Sequence, residues 1–124
     1  MGSQHITVTG DLLVAAPRGR MAQGEAVELC EQISARLGKG TFRVLLDFSA
    51  VDYMTSAALG AIISLLQRVR SGGGRMAVTA PTDRVHLLME VAGLNQLLAL
   101  CATREEAERR LAAEAAEAGE AAED

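Results

Sequence analysis

At 124 residues the chain is the size of one domain and long enough to bury a real core. It is 49% apolar but only 2% aromatic, so the core must be aliphatic, and intrinsic disorder is excluded. The formal net charge of −4 is uneven: residues 103–124 carry three arginines against eight carboxylates, a balance of −5 that leaves residues 1–102 at +1, with no basic stripe to neutralise nucleic-acid phosphates.

Ile6-Thr7-Val8-Thr9 alternates apolar and polar residues, as a half-buried strand does. Gly10-Asp11 is a turn signal, and Leu12 to Ala16 reads as a second strand, so the pair predicts a hairpin ended by Pro17-Arg18-Gly19-Arg20. The period then changes. Ala26, Leu29, Cys30, Ile33 and Leu37 recur at helical spacing with Glu25, Glu28, Glu31 and Gln32 between them, predicting an amphipathic helix that ends at Gly38 and Gly40. Phe42 to Phe48 reads as a largely buried strand. A helix follows from about Ser56 to Arg70 and breaks at Ser71-Gly72-Gly73-Gly74. Met76 to Ala80 is a short buried strand stopped by Pro81. Thr82 or Asp83 can cap a third helix running through Val91, which Gly93 closes, and Leu97 to Cys101 is a weak last strand. Thr103-Arg104-Glu105-Glu106 is a capping box opening a final helix anchored by Ala107 and Leu111; residues 113–124 form an acidic Ala/Glu-rich tail without apolar anchors. The expected order is β-β-α-β-α-β-α-β-α. It predicts a single α/β domain over residues 1–112: a mixed, mainly parallel sheet of four to five strands with about four helices packed on it.

The N-terminus lacks the basic stretch and apolar run of a signal peptide, and the apolar stretch Ala57–Leu66 is too short to cross a bilayer. Cys30 and Cys101 sit inside apolar patterns and read as buried thiols in a reducing compartment. A cytoplasmic protein with no membrane insertion is expected.

Signatures of catalysis are absent. Gly38-Lys39 lacks the upstream Gly of a P-loop, and Gly40 stands where Ser or Thr would follow the lysine. Glycines 72–74 follow a helix instead of opening one. His5 and His86 have no partners at metal-ligand spacing, so neither metal nor cofactor is expected. Asp47 and Asp52 could be read as an acid pair, but a strand-end acid and a loop acid are commoner explanations.

The segment Val51-Asp52-Tyr53-Met54-Thr55-Ser56-Ala57-Ala58-Leu59-Gly60 joins the central strand to the second helix, the place where parallel sheets carry their sites. At about 100° per residue, Ala58, Leu59, Ile62, Leu65, Leu66 and Val69 gather on one side as a core face. Ser56, Gly60, Ile63 and Gln67 form a second strip at i, i+4, i+7 and i+11, flanked by Arg68 and Arg70. A solvated face would carry more Glu and Lys, and Gly60 lets another chain approach closely. The strip therefore reads as a docking surface with Ser56 at its upper end, the alternative being simply a face of small residues. A phosphate on Ser56 would be tolerated by the helix N-terminus while putting charge and bulk into the docking strip.

Leu46-Asp47-Phe48-Ser49-Ala50-Val51-Asp52-Tyr53-Met54-Thr55-Ser56-Ala57-Ala58-Leu59-Gly60 closely resembles the signature of STAS domains, the anti-sigma factor antagonists and their relatives. Gly19-Arg20-Met21, Gly72 to Val78, Val85 to Leu88 and Gly93-Leu94 resemble further parts of the family pattern. The resemblance implies a protein that binds an anti-sigma factor acting also as a Ser/Thr protein kinase, is phosphorylated by it, and is restored by a cognate phosphatase. By alignment the phosphoacceptor would be Ser56, with Thr55 a second candidate. The partner-binding residues would be Asp52, Tyr53, Met54, Thr55, Ser56, Gly60, Ile63 and Gln67. Two positions depart from the pattern: Thr55 replaces the family's Asp before the Ser, and Ala58 replaces its Gly two residues after. A constitutive, unphosphorylated STAS adaptor in a sensory or transporter-associated complex is the alternative. A small enzyme or ligand-binding domain using the Asp47–Ser56 region is the third reading, disfavoured because no base is recognisable near Ser56.

Overall fold

The computed structural model describes residues 5–37, 42–79, 83–96 and 98–112. Its first elements are β1 (His5–Thr9) and β2 (Leu12–Ala16), an antiparallel hairpin in which Thr9 pairs with Leu12. Gly10 turns it at φ +61°, the left-handed conformation that a two-residue hairpin of the II′ kind requires at its first central position. A third strand follows directly, β3 (Arg18–Met21), then helix α1 (Gln23–Arg36), β4 (Arg43–Asp47), β5 (Ala50–Met54) and α2 (Ser56–Ser71). Beyond these come β6 (Arg75–Thr79), α3 (Asp83–Val91), a 3-10 turn (Leu94–Gln96), β7 (Ala99–Cys101) and a helix, α4, described over 104–112.

The main sheet has the order β1-β2-β4-β6-β7, parallel except for β1 against β2. Strand alternation divides its side chains between two layers. Leu13, Ala15, Val44, Leu46, Met76 and Val78 face α1, α2 and α3, which bring Ala26, Leu29, Ile33, Ala58, Leu59, Ile62, Val85 and Met89 to the larger core. Val14, Leu45, Ala77, Ala99 and Cys101 face the other way and are covered by Ala107 and Leu111 of α4. The expected mixed sheet, mainly parallel and covered by four helices, is the fold observed.

Two expectations are corrected. Residues 18–20 do not merely end the hairpin, and residues 50–54 are not merely a loop: β3 and β5 pair as a separate two-stranded parallel sheet. Its register shifts between Gly19 and Arg20, because Val51 pairs with Gly19 and Tyr53 with Arg20, leaving Asp52 as the extra residue of a bulge. Met21, Val51 and Met54 anchor this small sheet in the larger core. Neither strand has a clean two-residue apolar period, so no local pattern announces the pairing. The capping box of α4 is also skewed. Thr103 Oγ1 accepts the Glu106 amide at 3.1 Å, while Glu106 reaches the amide of Ala102 instead of that of Thr103. Gly38, Gly40, Ala80, Pro81, Thr82, Leu97 and the tail 113–124 lie outside the described residues.

Candidate functional site

The end of β3 fixes the start of α2. The Thr55 amide donates to the Met21 carbonyl at 3.1 Å, which holds Thr55 extended, with φ −88° and ψ 160°. From there Thr55 Oγ1 accepts the Ala58 amide at 3.1 Å, so Thr55 is the N-cap and Ser56 the first helical residue. The two hydroxyls therefore have different duties. That of Thr55 is engaged in the cap on a half-buried side chain, whereas Ser56 is exposed. No acidic residue occupies the first turn of α2, so its N-terminal partial positive charge is not offset there.

The helix then separates into two faces. Ala58, Leu59, Ile62, Leu65, Leu66 and Val69 are all buried. Ser56, Gly60 and Gln67 are exposed, and Ile63 is half-buried with part of its side chain against the core. A Cβ built on Gly60 meets nothing within 4 Å, so no packing inside the molecule requires glycine there. Asp52 and Tyr53, at the bulge of β5 just before α2, are also exposed, with Tyr53 37% exposed. The guanidinium of Arg20, from the neighbouring strand, lies over the Tyr53 ring at 4.8 Å from its centroid. The sequence reading did not single out Arg20, because its place beside Tyr53 depends on the β3–β5 pairing. Met54 differs from its neighbours: at 6% exposure it packs in the core beneath the site and presents no contact surface.

Between α1 and α2 runs a groove of about 200 Å³ lined by Val27, Cys30, Glu31, Ala61, Ser64, Leu65 and Arg68. Arg68 reaches Ser34 of α1 at 3.1 Å, tying the helices together on that side. The Cys30 thiol is directed at the Ala61 carbonyl, 3.4 Å away, and burial pushes its pKa up to about 11, so it is a poor nucleophile at neutral pH.

Asp47, at the end of β4, is engaged elsewhere. Its Oδ1 accepts the Thr79 hydroxyl at 2.9 Å and the Ser49 amide at 3.0 Å, and its Oδ2 faces Arg104 of α4 at 3.9 Å. Burial raises its pKa, but the bonds from Ser49 and Thr79 and the charge of Arg104 outweigh this and hold it below the usual carboxylate range. Asp47 thus joins strands to α4, while Asp52 is exposed on the bulge. His86 pairs with Glu90 at 3.4 Å on its own helix. Among the described residues no three His, Cys, Asp or Glu side chains are grouped to hold a metal ion, and no helix is long and apolar enough to cross a membrane.

The sequence matches the STAS domain family over residues 4–107. It is 26% identical over 96 residues to BtrV of Bordetella bronchiseptica, which carries the name of an anti-sigma factor antagonist; the match spans 77% of this chain and 83% of BtrV. An anti-sigma factor antagonist from Mycobacterium paratuberculosis has the same fold, with a TM-score of 0.78 and 18% identity over 90% of this chain and 94% of that one. The Bacillus cell fate determinant SpoIIAA in its phosphorylated form superposes with a TM-score of 0.66 and 18% identity, over 87% of this chain and 98% of SpoIIAA. With a family match across most of its length and the sheet and helices in the same arrangement, this chain belongs to the STAS domain family, among relatives named as anti-sigma factor antagonists.

Proposed function

We propose that this protein is a cytoplasmic anti-sigma factor antagonist that works by partner switching, without catalytic activity of its own. The observation that carries this reading is the position of Ser56. It is exposed at the first position of α2, at the head of a strip of uncharged residues formed with Gly60, Ile63 and Gln67. In the unphosphorylated state this strip, together with Asp52, Tyr53 and the cap residue Thr55, binds an anti-sigma factor that is also a Ser/Thr kinase. A phosphate on Ser56 adds about −1.5 to −2 charge at neutral pH. The free amides of the α2 N-terminus accommodate that charge, so the fold is kept while the docking strip gains charge and bulk. A cognate phosphatase resets the switch. The domain that carries it spans residues 1–112, and residues 113–124 are a solubilising acidic extension.

One observation favours a second reading. Thr55 does the capping that the family's Asp would do, but without its negative charge beside the phosphoacceptor. A kinase that requires that charge would pass over Ser56, and the protein would act as a constitutive adaptor in a sensory or transporter-associated complex. Intact-mass measurement separates the two after incubation with ATP and the kinase-like anti-sigma factor encoded nearest in the genome. The switch gives one added phosphate in the wild type and in Thr55→Ala, and none in Ser56→Ala. An unmodified protein in a stable complex with that partner assigns the adaptor role instead.

A further inference from the structure

We infer that the free edge of β1 is a self-association surface, at which a second copy of this chain adds its own β1 antiparallel and joins two five-stranded sheets into one. Among the described residues β1 pairs only with β2, so one side of its backbone is unpaired. Exposed edges invite pairing, and proteins blunt them with charges, prolines or short strands. The opposite edge of this sheet, β7, has three residues; β1 has five, His5-Ile6-Thr7-Val8-Thr9, with no Lys, Arg, Asp, Glu or Pro among them.

The register of the hairpin says which groups face outward. Thr9 and Leu12 close a two-residue turn, and such a pair exchanges both of its hydrogen bonds. Every second residue back, Thr7 and His5, is likewise bonded to β2. The amides and carbonyls of Ile6 and Val8 therefore point to the free edge. A two-fold axis at Thr7 sets Ile6 opposite Val8 of the second copy and Val8 opposite its Ile6, and these two pairs satisfy all four outward groups. The side chains agree with this pairing. Val8, 46% exposed, and Ile6 share the face of the sheet that carries Leu13 and Ala15, so the apolar stripe continues across the junction. Thr7 is exposed on the other face and meets its own symmetry mate, a Thr–Thr pair that sheets accept well. A junction of two five-residue strands is short, so the dimer is a concentration-dependent species. It uses none of the residues of the α2 strip, so its test is separate from that of the proposed switch.

Sedimentation equilibrium of the full chain over a dilution series tests this. The expected wild-type mass rises from 13.0 kDa toward twice that value with concentration. Val8→Pro removes an outward amide without touching the β1–β2 ladder, and it is expected to abolish association. Thr7→Lys places like charges on the axis and is also expected to abolish it, as is Thr7→Glu, whereas mixing these two variants restores a dimer. Circular dichroism establishes that each variant is folded, and the Thr7 pair decides the matter should Val8→Pro fail to fold. A wild type that stays at the monomer mass throughout overturns the inference, as does a Thr7→Lys variant that associates like the wild type.

Discussion

Around the proposed switch, single residues separate what holds the fold from what the proposal assigns to a partner. Ser56 is the clearest case. An Asp in its place supplies the first turn of α2 with the acid it lacks, so Ser56→Asp is expected to stabilise the fold by about 0.3–1 kcal/mol while abolishing partner binding. Thermal unfolding and calorimetric titration with the anti-sigma factor measure the two effects in one preparation. Gly60 behaves similarly. With open space where its Cβ would be, Gly60→Ala should gain about 0.5–1 kcal/mol from helix propensity and still weaken the complex, because the added methyl stands in the proposed docking strip. A Gly60→Ala protein that binds as tightly as the wild type would remove Gly60 from the interface. Gly74 makes the contrast: a Cβ there would run into the Phe42 carbonyl oxygen and the Val69 side chain, so this glycine is demanded by packing inside the molecule.

Asp47 gives the pH dependence at the same scale. Its folded-state pKa is depressed, so it contributes stability that is present above the ordinary carboxylate range and lost as pH falls through and below it. Urea midpoints measured from neutral pH downward are therefore expected to fall in acid, and Asp47→Asn should flatten that fall. Asp11, bonded by Arg43 at 2.6 and 3.0 Å, is shifted in the same direction but lies at the exposed hairpin turn, so Asp11→Asn should have the smaller effect.

At the scale of elements, α2 was legible because its period alone assigns the six buried residues to one side and leaves Ser56, Gly60, Ile63 and Gln67 on another. The final helix was legible for the same reason, through Ala107 and Leu111. Both are fully buried against the second face of the sheet, which no other described helix covers. Leu111→Ala is expected to cost about 2–5 kcal/mol in denaturant unfolding, since it opens a cavity between α4 and the sheet. Exposed Arg109→Ala should change stability by no more than about 0.5 kcal/mol. The β3–β5 sheet was not legible. Its strands lie about thirty residues apart and pair through a bulge, and their exposed positions carry Arg18, Arg20, Asp52 and Tyr53. Pairing of that kind is decided by where α1 and β4 deliver the two segments, and no window of sequence records it.

Among the described residues the five-stranded sheet lies between three helices on one side and one on the other, with its centre in β4 and β6. Hydrogen exchange should follow that layout. Amides of β4, flanked by strands on both sides and buried on both faces, are expected to exchange slowest, and those of the two-stranded β3–β5 sheet faster. Equal protection in the two sheets would show that they open as a single unit. By itself the sequence determined the class of the fold, a mainly parallel sheet with helices packed on it, and the two faces of α2, because burial imposes periods of 2 and 3.6 that hydrophobic residues must obey. Only the tertiary structure decided that Met54 lies beneath the site instead of on it, that Arg20 stands over Tyr53, and that Thr55 caps the helix and leaves Ser56 exposed. Each of these depends on hydrogen bonds and packing between segments distant in the chain, such as the amide of Thr55 on the carbonyl of Met21, and such partners are chosen only when the chain has folded.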